Sequence, residues 1–237
     1  VRNNNLDHVC YIYLHQAVFL IFTFFFRRSL EYGDTTDIMG YGDGKDDTRK
    51  CFNGAKMMEL GYYEHTVTLN PVDNSFTGKL IGVADYGEVT SEHTLVVEVI
   101  NSDPESNNLY VSYNRKKGIN IDTGEYGDMV TIVSAEFRER SLLVGAVGPN
   151  SSFRVENFFS GRDLIIAFDA VGVDGSSVDT ASIKIELEVE DCAVASDCSV
   201  GTSGCVTATC SNQKCIYESK DNCCGNGKYF EGTNQVD

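Results

Sequence analysis

The stretch SIKIELEVE (182–190) places Ile183, Ile185, Leu187 and Val189 on one side of an extended chain, with Lys184, Glu186, Glu188 and Glu190 on the other. A half-buried strand requires such alternation, because its successive side chains point to opposite faces. Reading outward, the same period recurs in TLVVEVI (94–100), NLYVSYN (108–114), MVTIVSA (129–135), SLLVGAV (141–147) and DLIIAFDAV (163–171). Turn residues separate the runs: Asn101-Ser102-Asp103, Gly124, Pro149-Asn150 and Asp174-Gly175. Short strands at this spacing predict a mainly β chain, with an antiparallel β-sandwich over residues 65–190.

The flanks read differently. Residues 31–64 begin with Gly- and Asp-rich turn sequence and continue into KCFNGAKMMEL (50–60). There Phe52, Ala55, Met58 and Leu60 share one side at helical spacing, and Gly61 stops the helix. Residues 191–237 form a tail with few large apolar residues. Seven of the nine cysteines lie there: Cys192, Cys198, Cys205, Cys210, Cys215, Cys223 and Cys224. No C-x2-C pair of the kind favoured by structural zinc occurs among them, so the tail reads as disulfide-bonded and the compartment as oxidising and extracellular. Seven is odd, so one tail cysteine needs a partner elsewhere: Cys51, Cys10 or a residue beyond this chain.

Residues 1–30 stand apart. The apolar run 17–26 is ten residues long, whereas a membrane-spanning helix needs about 20. Arg27-Arg28 stands where a signal peptide would carry small residues for cleavage. The segment therefore reads as atypical and foreign to the folded protein, as translated intron would be. A signal sequence, or an anchor over residues 9–26, is the alternative.

Composition narrows the function. Hydrophobic residues at 42% and charged residues at 23% are ordinary for a globular chain. Nineteen basic against thirty-five acidic side chains leave a net charge of −16, which repels phosphate backbones and anionic lipid. Nucleic acid is excluded as a partner on this ground, and a membrane surface is disfavoured. His8, His15, His65 and His93 belong to no H-E-x-x-H, and Gly61 and Val89 occupy the positions that the reversed motif would need. Each reads as a surface or strand residue. Asp43-Gly44-Lys45-Asp46-Asp47 offers oxygen ligands but lacks EF-hand spacing, so it reads as a solvated acidic loop. Asn150-Ser151-Ser152 fits the N-glycosylation acceptor pattern and falls in a turn.

Two segments, EYGDTTDIMGYGD (31–43) and CFNGAKMMELGYY (51–63), resemble the gametolysin family of secreted zinc metallopeptidases, which are metzincin-type enzymes. Tyr32, Gly33, Asp34, Met39 and Gly40 match that family's Met-turn segment. Cys51, Phe52, Asn53, Ala55, Lys56, Leu60, Gly61 and Tyr63 match the helix that follows. The stretch YVSYNRKKGINIDTGEYGDMVTIV (110–133) is similar to a further family segment, Y-x-x-x-x-N-x-x-x-G-I-N, and the tail resembles Cys-rich repeats appended to such proteins.

The resemblance implies that residues 31–64 are the end of a catalytic domain. Met39 would pack beneath zinc-binding imidazoles without binding metal. It also implies zinc as the family cofactor, secretion, and glycoproteins of the extracellular matrix or cell wall as substrates. The departure from the family is large. Its H-E-x-x-H-x-x-G-x-x-H motif would lie just upstream of Glu31, where this chain has YIYLHQAVFLIFTFFFRR (11–28), and Met58 and Glu59 stand where the family has Trp and Gln. No catalytic residue and no metal ligand is therefore assigned to this chain, since zinc lacks its protein ligands and its water lacks a base. The expectation is a fragment or inactive form of a gametolysin-like zinc endopeptidase. The alternative is a non-catalytic secreted adhesion or binding protein, membrane-tethered if residues 9–26 anchor it.

Overall fold

The computed structural model describes residues 34–38, 49–72, 74–101, 106–136, 139–159, 162–173, 178–189, 192, 194–198, 206–211 and 214–219. The chain is mainly β. Its one α-helix among these residues, α1 (Gly54–Leu60), is followed by strands β1 (Thr66–Leu69), β2 (Phe76–Ile81), β3 (His93–Thr94), β4 (Val96–Val99), β5 (Asn108–Asn114), β6 (Met129–Ala135) and β7 (Ser141–Val147). Then come β8 (Ser151–Phe159), β9 (Arg162–Val173), β10 (Asp179–Leu187), β11 (Val206–Ser211) and β12 (Lys214–Ser219).

Two five-stranded sheets carry the fold, in the orders β1-β4-β5-β6-β7 and β3-β2-β10-β9-β8. Their inner faces share one core, as in a sandwich. Val97, Val99, Leu109, Val111, Val130 and Ile132 from the first sheet meet Leu80, Leu164, Ile166, Phe168, Ile183 and Ile185 from the second. Burying each such side chain contributes about 1.5–3 kcal/mol relative to leaving it in water, so the period-two pattern fixes which face turns inward. In β10, Ile183, Ile185 and Leu187 are buried as the alternation requires, but the strand stops at Leu187 and Val189 is exposed.

The sandwich is not wholly antiparallel. β1 pairs with β4, and β2 with β3, in parallel register. Parallel neighbours need a crossover, and the chain supplies it by leaving the first sheet after β1, building β2 and β3 in the second, and returning. The return happens within the run 94–100: Thr94 pairs with Leu80 of one sheet, Val96 with Thr66 of the other, and the wholly buried Leu95 makes the switch.

A second core lies on the outer face of the first sheet. Cys51, Phe52, Ala55, Met57 and Tyr63 pack there with Val96, Tyr110, Val133 and Ala135. The central strand β5 is thus covered on both sides, with five consecutive buried residues. Asn53 caps α1 by accepting from the Lys56 N–H at 2.9 Å, and Gly61 closes it in the left-handed conformation at φ 65°. In this seven-residue helix, Met57 turns into the core, while Met58 and Leu60 are only partly buried against it. Phe52, expected on the helix, belongs to the approach before the cap. Gly54 sits so close to the sheet that a Cβ there would lie 3.0 Å from Ser112 Oγ.

The tail forms a small hairpin of β11 and β12 held by Cys192–Cys210 and Cys198–Cys215. Arg162 ties it to the sandwich. Its guanidinium lies 3.7 Å from the Tyr217 ring centroid on one side and 5.3 Å from that of Phe159 on another. No helix among the described residues is long and apolar enough to cross a membrane.

Candidate functional site

The outer face of the first sheet holds a buried polar network and, beside it, a cleft. Asp34 is the centre of the network, at 2% exposure. Its Oδ1 accepts from the Thr36 N–H at 2.9 Å and the Thr36 hydroxyl at 2.6 Å, closing the local turn. Its Oδ2 accepts from Asn53 Nδ2 at 2.5 Å, and the same amide nitrogen lies 2.7 Å from Ser141 Oγ at the start of β7. The Asn53 N–H donates to Asp37 Oδ1 at 3.3 Å. Asn53 therefore caps the helix, satisfies a buried carboxylate and reaches the sheet edge.

The loop after β5 completes the network. Asn120 Oδ1 accepts from the Cys51 N–H at 3.1 Å, while its Nδ2 donates to Asn114 Oδ1 at 2.8 Å and to the Arg115 carbonyl at 3.1 Å. Lys50, with 2% side-chain exposure, donates to the Thr35 carbonyl and pairs with Glu125 at 3.2 Å. A buried ammonium is tolerable only when paired in this way.

The cleft, of about 170 Å³, is lined by Ala55, Met58, Glu59, Glu98, Tyr110, Ala135 and Glu136. Glu98 accepts from Asn108 Nδ2 at 2.9 Å, the Tyr110 hydroxyl at 3.1 Å and the Thr68 hydroxyl at 3.2 Å. Burial, reinforced by the Glu98 charge, pushes the Tyr110 phenol above its ordinary range. Glu59 pairs with Lys56 at 2.6 Å. An apolar floor with carboxylates at its rim suits a hydrogen-bond donor or a cationic group. No Ser, Thr, Cys, Lys or His lines it.

Of the residues singled out from the sequence, Asp34 lies in the network, whereas Tyr32, Gly33, Met39 and Gly40 lie outside the described residues, as do His8, His15 and the acidic loop 43–47. Cys192, Cys198, Cys210 and Cys215 form the two disulfides above; Cys205, Cys223 and Cys224 fall outside the described residues. Cys51 is disulfide-bonded too, to a cysteine that is not among them. Asn150 is exposed in the β7–β8 turn. Tyr110 heads the family-like stretch 110–133, whereas no motif points to Glu98 or Glu136. Met58 and Glu59, the two departures from the family pattern, both line the cleft.

Zinc does not fit the described residues. Their one group of three or more potential ligands within 4.8 Å is Cys192, Cys198 and Cys215, and all three sulfurs are already committed to disulfides. His93 is buried, and its Nδ1 accepts from the Thr90 N–H at 3.1 Å. No family model matches the chain, and neither the curated proteins nor the solved structures contain a match.

Proposed function

We propose that this chain is the C-terminal part of a gametolysin-type zinc endopeptidase acting on glycoproteins of the extracellular matrix or cell wall. It carries the Met-turn segment and a docking sandwich, but not the zinc-binding helix. One observation carries the reading. Asp34, Asn53, Asn114 and Asn120, drawn from the three stretches that resemble the family, fall in two adjoining groups of hydrogen bonds, Asp34 with Asn53 and the Cys51 N–H with Asn120 and through it Asn114, while Lys50 joins Thr35 to Glu125 between them. That the three stretches lie against one another in the fold supports reading them as one unit. The disulfides accord with an extracellular setting.

In this reading the described residues hold substrate and hydrolysis belongs to the missing helix. The cleft beside Glu98 and Tyr110 favours a second reading, a secreted binding protein without any catalytic partner segment. The test is zinc content and proteolysis of the purified chain, alongside its retention on immobilised extracellular glycoprotein. The proposal expects retention, no stoichiometric zinc and no cleavage. Chelator-sensitive cleavage by this chain would overturn the assignment of the metal site to sequence outside it.

A further inference from the structure

We propose that Asn150 is an N-glycosylation site, carrying an oligosaccharide at the turn that leads from β7 of one sheet to β8 of the other. The inference rests on the extracellular reading of the disulfides and is independent of the peptidase reading. Asn150-Ser151-Ser152 is the sole Asn-x-Ser/Thr sequence in the 237 residues. The fold puts it where an acceptor must be: Pro149, Asn150, Ser151 and Ser152 are all exposed.

The turn is held by backbone and by Ser151, leaving the acceptor amide to solvent. The Asn150 N–H donates to the Asp169 carbonyl at 3.1 Å, and the Ser151 hydroxyl donates to the Gly148 carbonyl at 2.6 Å. Asn150 has φ 58°, a left-handed conformation that asparagine tolerates better than most residues. A glycan here displaces no packed side chain.

Its position also has a use. Among the described residues β7 ends one sheet and β8 ends the other, so the turn between them joins two sheet edges. Such edges invite pairing with other chains, and a bulky polar group between them blocks it. The cleft stays open, because Ala135 lies opposite Ser141 at the far end of β7, and seven strand residues span about 20 Å.

The transfer uses a lipid-pyrophosphate-linked oligosaccharide and the transferase of the secretory pathway. Asn150 Nδ2 bonds to the anomeric carbon, the carbon–oxygen bond to phosphate breaks, the lipid pyrophosphate leaves with the electron pair, and an amide proton passes to a base.

The experiment expresses the full chain behind a secretory signal in a eukaryotic cell, confirms its disulfides by thiol alkylation, and treats it with an amidase specific for Asn-linked glycans. The expected result is one downward mass step and conversion of Asn150 to Asp in the released peptide. Neither should occur in Asn150→Gly, which keeps the turn conformation, or in Ser152→Ala, which keeps Asn150. Secretion of disulfide-bonded wild-type chain at a single mass before and after treatment would overturn the proposal. Neither result depends on whether the chain binds or cleaves a glycoprotein.

Discussion

Asn53 donates to Asp34 across 2.5 Å, joining the helix that begins at Gly54 to the loop that precedes it. Because Asn53 also reaches Ser141 and caps α1, one side chain locks three parts of the chain together. Removing it leaves a buried carboxylate with fewer donors.

Asn53→Ala is expected to destabilise the protein by roughly 2–4 kcal/mol, combining a lost cap with an under-satisfied buried group. Asn53→Asp keeps a capping oxygen but sets a second carboxylate against Asp34. It should cost more than Asn53→Ala at pH 7, because two buried carboxylates then face each other. Urea midpoints of the two variants check this. Equal losses would show that the Asp34 contact carries little.

Arg115 ties the two sheets together from the end of β5, reaching both Asp128 and Asp179 with 19% side-chain exposure. Gly82 makes room for it: a Cβ at that glycine would lie 2.2 Å from Arg115 Cβ and 3.3 Å from the Tyr113 carbonyl oxygen. Gly82→Ala should therefore cost about 1–3 kcal/mol by overpacking. Arg115→Lys should lose stability as well, because a single ammonium nitrogen lacks the planar fork whose two separate nitrogens each meet one carboxylate. Thermal or urea unfolding of the pair measures both losses, and a neutral Gly82→Ala would contradict the close approach.

Burial pushes the phenols of Tyr63 and Tyr113 up to about 12, and that of Tyr110 upward as well. A phenol whose value is raised by folding stabilises the protein fully below its unfolded value near 10. That contribution is lost as pH climbs through the folded value. Stability should thus fall between about pH 10 and 12. Tyrosinate absorbance should show most of the twelve tyrosines ionising before a late fraction that titrates only with unfolding. A single smooth titration with no late fraction would argue against these buried positions.

The tail hairpin should behave as a separate unit. Its disulfides close sequence separations of 18 and 17 residues, and such loops are worth about 3 kcal/mol each in the chain-entropy account. Replacing Cys192, Cys198, Cys210 and Cys215 by serine, which leaves the Cys51 bond in place, is expected to release amide exchange over residues 206–211 and 214–219 while β5, β6, β9 and β10 stay protected. Loss of protection throughout the sandwich would refute that independence.

Much of the fold was legible because the decisive strands alternate cleanly. The bounds of β5, β6 and β7 coincide with their apolar runs. β8 escaped notice because SSFRVENFF carries mostly exposed residues and a register shift between Val155 and Phe159, with Asn157 at φ 52°. β2 is interrupted by Gly78 and Lys79, and the parallel pairing of β1 depends on a crossover that no local pattern encodes. The helix was readable from its apolar spacing and from Gly61, but the spacing ran back to Lys50 where the helix begins at Gly54, and seven residues are too few for it to choose between Met57 and Met58. Asp34 and Asn53 stood out through resemblance, whereas Glu98 and Tyr110 meet only because β4 and β5 pair.

The most direct test of the functional account is the sequence of the native transcript across the codons for Leu30 and Glu31. The account predicts an in-frame H-E-x-x-H-x-x-G-x-x-H immediately upstream of Glu31, placing a zinc helix before the segment that Asn53 locks to the sandwich. A mature transcript reading the Phe-rich run 11–28 contiguously into Glu31 would contradict it and leave a secreted binding protein in its place.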